Sequence, residues 1–236
     1  MEIYKLKDEV LEGKRGQYER TGVDVEGGVV RVGLKITDLR AGVKNPNRVN
    51  VFVNGKYTLS LDVAQVVDYK VKVGRVLSVR ELDELKKASE LGKLYQRTLE
   101  WVLLRPRSIR ETKDYLRRKL RTSEDIAKFS DEVISRLVVR GYLDDEKFAE
   151  WWVENRFVKK GVSVKRLRME LLQKGIGMDA IDETLERVGR NDEDEIRKVI
   201  AKKRAKYPDD EKLIQYLCRQ GFPYQLVSEL VRCETD

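Results

Sequence analysis

The feature that most limits how this chain can fold is a helix-capping residue that recurs along its C-terminal half. Each copy stands directly before an amphipathic segment, where a side-chain oxygen can accept hydrogen bonds from the free N–H groups of a helix. The capping positions are 55 and then 46 residues apart, and a leucine follows each of them eight residues later. The pairs are Ser108 with Leu116, Ser163 with Leu171, and Asp209 with Leu217. This pattern predicts a tandem array of helical repeats.

A second recurring feature is an acidic segment at the start of a helix. Residues 144–146 open one predicted helix and residues 191–195 open the corresponding helix of the next copy, where carboxylates oppose the positive end of the helix dipole. We therefore predict a mainly α fold in which a three-helix unit occurs in three copies, at residues 93–141, 142–190 and 191–236. Units of this size bury little apolar surface alone, so they should stack into an elongated, curved array.

The N-terminal part of the chain shows a different pattern. Residues 1–28 are polar and lack a clear period, which predicts a mobile arm or an irregular edge segment. From Val29 onward apolar and polar residues alternate, and Asn54-Gly55 then separates two β-prone runs. Both positions of a tight hairpin turn need positive φ, which asparagine and glycine adopt readily. Residues 1–92 are therefore predicted to form a small β-rich domain with an antiparallel sheet, a hairpin and a linking helix.

Two helix starts follow the predicted sheet. Asp62 can cap a short helix. Ser78 and Glu81 have the spacing of a capping box, in which each side chain accepts a hydrogen bond from the backbone of the other. This box predicts a helix over residues 79–91, with Gly92 ending it.

The charge balance restricts the classes of partner and of chemistry. Lys and Arg number 49 against 41 Asp and Glu, which gives a formal net charge of +8. A basic excess favours polyanions such as nucleic acid or an anionic membrane surface. The chain has no histidine, which excludes histidine triads, histidine proton relays and histidine metal sites but leaves carboxylate chemistry possible. The sequence also lacks a P-loop, a Rossmann fingerprint and a nucleophile elbow, so we predict a non-enzymatic protein without cofactor or metal.

Cysteine usage and hydropathy indicate the compartment. The two cysteines, Cys218 and Cys233, form no C-x-x-C pair and no disulfide framework, which favours a reducing cytosol. No apolar run approaches the roughly 20 residues that a transmembrane helix needs. The first residues, Met1-Glu2-Ile3-Tyr4-Lys5, contain no apolar signal core. We therefore expect a cytoplasmic protein.

Basic residues recur at corresponding places in the predicted units. Lys and Arg at this density can neutralise phosphates and release counterions, although charge runs are usually solvated helix faces. The recurrence favours a binding surface for a polyanion or an acidic protein. The first unit contributes Arg105, Arg107, Arg110, Lys113, Arg117, Arg118, Lys119 and Arg121. The second contributes Arg156, Lys159, Lys160, Lys165, Arg166, Arg168 and Lys174, and the third Lys198, Lys202, Lys203, Arg204 and Lys206.

Tryptophans and an acidic triplet offer other candidate sites, which we interpret as structural. Trp101 and Trp152 fall at helical spacing among apolar residues, so core packing is predicted for both rather than base stacking. Trp151 points elsewhere, because it neighbours Trp152, and an inter-helix contact is expected. Capping explains residues 144–146 better than a metal site does. Cys218 lies in an amphipathic segment and is predicted to be a small core residue.

Several strings in the helical part resemble the RecX family of regulatory proteins. The strings are Arg105-Pro106-Arg107-Ser108, Tyr115-Leu116, Arg140-Gly141-Tyr142-Leu143-Asp144-Asp145-Glu146-Lys147-Phe148-Ala149 and Lys174-Gly175-Ile176. The resemblance covers the chain from about Lys93 onward. It implies tandem three-helix repeats and a partner in the recombinase RecA, whose filament on single-stranded DNA such proteins typically bind in its helical groove. It further implies inhibition of ATP hydrolysis, strand exchange and coprotease action, with no cofactor.

The resemblance has departures and leaves alternatives open. The β-rich N-terminal region lies outside the core repeats of the family, and Arg121-Thr122-Ser123 stands where the later copies have Lys-Gly or Gln-Gly. Our main hypothesis is a monomer whose basic segments meet DNA phosphates or acidic RecA side chains, with no membrane partner. One alternative is a sequence-independent nucleic-acid-binding module without a RecA target. Another is a helical scaffold whose charge only keeps it soluble.

Overall fold

The computed structural model describes residues 33–43, 45–119 and 126–233, without the side chains of residues 126–128. Several sequence predictions fall outside these ranges. They are the arm over residues 1–28, the first part of the alternating run, and the candidate contact Arg121.

The chain divides into two compact units, Met1–Arg97 and Thr98–Asp236. The described part of the first unit holds a four-stranded sheet with helices, and the described part of the second is helical. The predicted fold class, mainly α with a small β-rich N-terminal part, is therefore confirmed. Among the residues described, no helix is both long enough and apolar enough to cross a bilayer.

An antiparallel sheet with the strand order β3-β2-β1-β4 forms the centre of the N-terminal unit. The strands are β1 (Leu34–Ala41), β2 (Arg48–Val53), β3 (Lys56–Asp62) and β4 (Val76–Leu77). Alternate residues of β2 are buried, as the period of a half-buried strand requires. The predicted hairpin is confirmed, because Asn54 and Gly55 have φ angles of 50° and 74° between the paired strands β2 and β3.

Both predicted helix starts of this unit are confirmed. The helices are α1 (Val63–Asp68) and α2 (Val79–Leu103). At α1, Gln65 N donates to Asp62 Oδ1 at 2.8 Å and Asp62 N donates to Gln65 Oε1 at 3.0 Å. At α2, Glu81 N donates to Ser78 Oγ at 3.1 Å and Ser78 N donates to Glu81 Oε2 at 2.8 Å. The hydrogen bonds from Ser78 and from Arg75 lower the pKa of Glu81 to about 2.

The prediction that Gly92 ends a helix is wrong, because α2 continues unbroken to Leu103. Gly92 is buried, and a Cβ atom there would lie 2.9 Å from Gln65 Oε1. Gln65 Nε2 in turn donates to the carbonyl of Ala88 in α2 at 2.7 Å. The glycine therefore lets α1 approach α2 closely. The unit boundary predicted after residue 92 falls inside this helix, and the other unit boundaries stay predictions.

Eight more helices follow in the described part of the C-terminal unit. They are α3 (Ile109–Lys119), α4 (Ile126–Val139), α5 (Asp145–Asn155), α6 (Val164–Gln173), α7 (Met178–Val188), α8 (Asp192–Lys203), α9 (Asp210–Arg219) and α10 (Tyr224–Cys233). We divide them into three groups: the part of α2 from Thr98 with α3 and α4, then α5–α7, then α8–α10. The middle helices of the groups are α3, α6 and α9.

Each middle helix begins at its predicted capping residue. Glu111 N donates to Ser108 Oγ at 3.1 Å, and Arg166 N donates to Ser163 Oγ at 3.3 Å. At α9 the same bond runs from the Lys212 amide to Asp209 Oδ1 at 3.2 Å. The three leucines that follow eight residues later are all 0% exposed: Leu116, Leu171 and Leu217. The repeated pattern therefore marks both the start and the buried face of each middle helix.

The second and third groups each have an apolar core of their own, which the short repeat length does not predict. One cluster is built around Phe148, Leu167 and Ile181. The other is built around Ile196, Leu213 and Val227. The interior of the C-terminal unit is therefore divided into local cores.

Polar contacts of identical type join consecutive groups. Ser108 Oγ, in the first group, donates to the carbonyl of Lys174 in the second at 2.8 Å. The next residue, Ile109, donates its N–H to Asp145 Oδ1 at 2.8 Å. Both serine and aspartate serve two groups at once, because Ser108 also caps its own helix and Asp145 lies in the first turn of α5. We call this arrangement the junction.

The second junction repeats the first. Ser163 Oγ donates to the carbonyl of Gln220 at 2.9 Å, and Val164 N donates to Asp192 Oδ1 at 2.8 Å. Burial raises the pKa of Asp192, and burial likewise raises the pKa of Asp145. The acidic segments predicted to oppose a helix dipole therefore also bind the preceding group.

A glycine permits the close approach at each junction. Gly175 has a φ of +86°, and a Cβ atom there would lie 2.9 Å from Arg110 Cβ. Gly221 has a φ of +93°, and its Cβ atom would lie 2.9 Å from Ser163 Oγ. Only glycine adopts this backbone without cost and leaves the space free.

We expect Ser163→Asp to destabilise the protein more than Ser163→Ala does. Alanine removes the cap and the bond to Gln220, at about 1–2 kcal/mol. Aspartate keeps the cap, but its carboxylate has no proton to donate and faces a carbonyl oxygen. Urea denaturation followed by circular dichroism measures both.

Asp209→Ser is the matched control, because serine and aspartate cap helices about equally well. We expect its free energy of unfolding to stay within about 0.5 kcal/mol of the parent. Equal losses in Ser163→Asp and Ser163→Ala would contradict a donating role for the hydroxyl.

Candidate nucleic-acid interface

Internal ion pairs divide the predicted basic contacts into two sets. The first set is paired with carboxylates at 4.0 Å or less: Arg105, Arg117, Arg156, Arg166, Arg168, Lys174 and Arg204. The second set forms no ion pair within the described part of the chain: Arg107, Arg110, Lys113, Arg118, Lys119, Lys159, Lys160, Lys165, Lys202 and Lys203. Members of the second set can meet a phosphate without first giving up a carboxylate.

Glu111 holds two members of the paired set. Arg105 Nη2 lies 3.1 Å and Lys174 Nζ 2.5 Å from its Oε1 atom. Burial acts to raise the pKa of Glu111, but the hydrogen bonds from Lys174 and Arg105 outweigh it and the pKa is lowered. Because Lys174 directly follows α6 as its C-terminal capping residue, this cluster ties the first group to the second.

Glu170 likewise binds two basic side chains, both of them within the second group. Arg156 Nε lies 2.7 Å from Glu170 Oε2, and Arg166 Nε lies 3.3 Å from Oε1. Burial again acts to raise the pKa of this carboxyl, and the bonds from Arg156 and Arg166 bring it below its ordinary value. Arg156 is therefore held by the protein itself.

A third carboxylate, Glu195, lies almost fully inside the protein. Its side chain is 1% exposed, and Arg190, 7% exposed, lies 3.0 Å away. Lys198 Nζ lies 2.8 Å from the same carboxylate, so this predicted basic residue also has an internal partner. Glu195 Oε2 accepts from Val162 N at 2.8 Å, which fixes the loop before α6 on α8. The sequence predicts only a helix-dipole contact for this residue.

Trp101 belongs to a column in which two stacked rings lie between two cations. Its ring stacks on Tyr115 with centroids 4.3 Å apart and an angle of 8° between the planes. Arg107 Cζ lies 4.0 Å from the centroid of Trp101, and Lys119 Nζ lies 5.7 Å from that of Tyr115. Trp101 is half-buried, so the prediction of core packing is wrong. Burial lowers the pKa of Arg107.

The other two tryptophans pack against the core of the second group. Trp152 and Trp151 lie 5.7 Å and 6.2 Å from Phe148, measured between ring centroids. Both are half-buried, so Trp152 borders the core rather than filling it. Arg105 Cζ, in the loop between α2 and α3, lies 5.7 Å from the ring of Trp151, so the inter-helix contact predicted for Trp151 stays a prediction.

The position seven residues after each cap has a different function in each group. Tyr115 stacks on Trp101, whereas Glu170 binds two arginines. Tyr216 stacks on Tyr207 with centroids 5.0 Å apart. Sequence reasoning missed these residues because it followed the leucine next to them. The repeat spacing could have found them.

The structure brings four predicted basic residues to one cleft between the second and third groups. They are Lys160, Arg166, Lys202 and Lys203. The remaining unpaired basic residues are distributed elsewhere, most of them on or beside α3 in the first group. The predicted surface is therefore one cleft with a separate basic helix.

We expect Glu170→Gln to make the free energy of unfolding less dependent on pH in the acidic range. A carboxyl with a lowered folded-state pKa adds stability that is full above its unfolded-state pKa of about 4.3 and is lost as the pH falls through the folded-state value. The variant should lose about 1–2 kcal/mol near neutral pH and show a shallower decline below about pH 5. Urea denaturation at a series of pH values from neutral to below pH 5 gives the free energy of unfolding of the variant and of the parent, and so the slope of each against pH.

Glu183→Gln is the control, because Glu183 is an exposed residue of α7 outside the ion pairs found in the described ranges. It should leave both quantities unchanged. Parallel declines for Glu170→Gln and the parent would contradict the assignment.

Comparison with known proteins finds family profiles that match two parts of the chain. A family profile described as the regulatory protein RecX N-terminal domain matches residues 34–78, and one described as the second three-helix domain of RecX matches residues 144–185. The first match shows that the likeness extends into the β-rich unit, beyond the stretch from Lys93 that the sequence strings indicate. The description of the first profile names a regulatory protein.

Individual relatives and solved structures agree. Regulatory protein RecX of Bacillus subtilis is 31% identical over 202 residues, which are 82% of this chain and 74% of that one. The homologue of Oceanobacillus iheyensis is 29% identical over 84% of this chain and 76% of its own. A crystal structure of regulatory protein RecX shares the fold, with a TM-score of 0.68 and 22% identity over 84% of this chain and 98% of that chain. By this sequence identity and coverage, the chain belongs to the RecX family of regulatory proteins.

Proposed function

We propose that this protein binds the recombinase RecA, or its filament on single-stranded DNA, and inhibits ATP hydrolysis and strand exchange. Through that inhibition it regulates homologous recombination and DNA repair in the cytoplasm, acting as a monomer without a cofactor. The proposal rests on family membership together with the distribution of charge.

The observation that carries the proposal is that basic residues with no ion pair to any described residue recur in all three groups. The first group supplies Lys113 and Arg118, the second Lys160 and Lys165, and the third Lys202. Basic side chains without internal carboxylate partners attract phosphates and acidic protein surfaces at long range. Because they lie on successive groups of one unit, they can meet a repeating polyanionic partner at several points.

Multivalent contact gives the mechanism its strength. Each exposed charge pair contributes little alone, about 0.2–1 kcal/mol. Several such contacts held on one chain act together, because after the first contact the others form at high effective concentration. A chain that bridges neighbouring RecA protomers would oppose the movements that ATP hydrolysis and filament growth require.

The second candidate function is a nucleic-acid-binding module with no RecA target. The cleft lined by Lys160, Arg166, Lys202 and Lys203 favours it, because a cationic cleft can bind a strand directly. The two functions differ in their effect on RecA, since a plain DNA-binding module would act only by competing for the strand.

The test of the proposed function is the ATPase rate of RecA on single-stranded DNA with substoichiometric amounts of this protein. We expect inhibition by the parent protein. Lys113→Gln/Arg118→Gln removes from α3 two charges that form no ion pair with the residues described, and we expect it to raise the concentration for half inhibition about fivefold. Added salt should weaken the inhibition steeply if phosphates dominate and only mildly if protein contacts dominate.

The matched control is Lys147→Gln/Arg187→Gln. It removes the same charge from cations that Asp144 and Glu150 already hold, at 3.1 Å and 3.8 Å. This control should inhibit as the parent does. No inhibition by the parent at any ratio would overturn the proposed function, whereas equal loss in both variants would show that only net charge matters.

A further inference from the structure

The cleft between the second and third groups has the size of a ligand site. Its volume is about 630 Å³, within the range of roughly 300–1,000 Å³ that small-molecule sites occupy. One wall is the loop between α5 and α6, and the other walls are contributed by α6, the end of α8, and α9 with the turn that follows it. All of these elements lie in the C-terminal unit.

The charge lining this cleft has one sign. Lys160, Arg166, Lys202 and Lys203 line it, and no aspartate or glutamate does. Lys160 and Lys202 are exposed and form no ion pair in the part of the chain that the structure describes. Arg166 is shared, because it lies 3.3 Å from Glu170 at the same time. The site therefore fits an anion that several lysines can approach together.

Aromatic rings lie beside these cations. Phe157 and Tyr216 both line the cleft. One neighbour of Tyr216 is Tyr207, stacked at 5.0 Å, and another is Lys203, whose Nζ lies 6.0 Å from the ring centroid. A ring next to an ammonium group is the combination that binds a flat heterocycle and its phosphate in single-strand-binding proteins.

Phe157 occupies its place at a cost to the backbone. Its φ angle is +50°, in the left-handed region that a bulky residue rarely adopts. Arg156 Cζ lies 3.8 Å and Arg166 Cζ 5.3 Å from the ring centroid, so two guanidinium groups hold the ring. Residues kept in such a conformation cluster at functional sites.

The cleft wall is fixed before any ligand arrives. Gly161 has a φ of +77°, and a Cβ atom there would lie 2.6 Å from Val199 Cγ2. The next residue, Val162, donates its N–H to the buried carboxylate of Glu195 at 2.8 Å. Both contacts press the loop onto α8. A preformed wall reduces the ordering cost of binding.

We propose that this cleft binds a nucleotide unit, a flat base with its attached phosphate. Lys160, Lys202 and Lys203 neutralise the phosphate, and the base lies against the ring of Tyr216 beside Phe157. A base-paired nucleotide is excluded, because its faces are already stacked and its edge is paired. The inference deepens the proposed function, on which it rests for its biological setting, but it can be tested without RecA.

The experiment is fluorescence anisotropy of the full chain with a labelled oligothymidylate of about 20 nucleotides at low salt. Lys202→Gln/Lys203→Gln should weaken binding about tenfold and reduce the slope of log affinity against log salt by about 0.7, the value for one lost phosphate contact on a single strand. Lys86→Gln/Lys87→Gln is the matched control, since it removes two adjacent lysines from α2, and it should change affinity less than about twofold.

The base contact has its own variants. Tyr216→Leu should weaken binding about tenfold and abolish the quenching of a 2-aminopurine placed in the strand, whereas Tyr216→Phe should restore both. Tyr224→Leu, at an exposed tyrosine on α10, should match the parent. Circular dichroism confirms that each variant is folded.

Competitors distinguish the source of the nucleotide. Displacement of the strand by thymidine monophosphate would assign the cleft to free nucleotides, and resistance to it would assign the cleft to the strand. The inference is overturned if the Lys202/Lys203 and Tyr216→Leu variants bind as the parent does. It is equally overturned if duplex DNA or polyglutamate binds with the same dependence on Tyr216.

RecA inhibition separates this inference from the proposed function. If the cleft variants bind DNA normally while the parent inhibits RecA, the cleft assignment fails and the proposed function stands. If the cleft variants lose DNA binding while the parent leaves RecA unaffected, the cleft assignment stands and the proposed function fails.

Discussion

A serine hydroxyl that accepts one hydrogen bond and donates another joins each three-helix group to the next. Ser108 and Ser163 are 0% exposed, and each caps its own helix while donating to a carbonyl of the following group. A hydroxyl is suited to this position because it carries one donor and two acceptor sites on a short side chain. Asp209 occupies the same place in the third group and cannot donate. The junction sets the register between groups, and the ion pairs and the cleft that cross between groups depend on that register.

In the described part of the C-terminal unit, three largely buried carboxylates determine which basic side chains are held inside the protein. Glu111, Glu170 and Glu195 each bind two basic side chains, and in doing so they turn part of the positive charge into structural contacts. The basic residues left over are concentrated on α3 and around the cleft. A chain with a net charge of +8 therefore presents its charge unevenly, which a composition cannot show. This division connects stability with the proposed binding function, because the same residue type serves both and only the presence of an internal partner distinguishes them.

Family membership identifies the kind of protein, whereas local geometry identifies the chemistry that the cleft can bind. The relatives place the chain among the RecX regulatory proteins, and they leave the contacting residues open. The cleft offers a specific chemistry, with lysines beside Tyr216 and a strained Phe157, and it leaves the biological partner open. A regulator whose cleft holds an unpaired nucleotide, while its other basic residues contact a protein, would fit both the family membership and the chemistry of the cleft.

The sequence by itself determined the features whose hydrogen bonds close within a few residues. The caps at Ser108, Ser163 and Asp209 and the Asn54-Gly55 turn depend on local backbone geometry, so their residue types identify them. The tertiary structure alone decided the function of Gly92, the stacking of Trp101, and the partners of Glu111 and Glu170. These depend on contacts over long separations, such as the 66 residues between Ser108 and Lys174 or the 14 between Arg156 and Glu170. A local pattern carries no information about which distant side chain arrives opposite it, because packing of the helices, and not propensity, brings the two together.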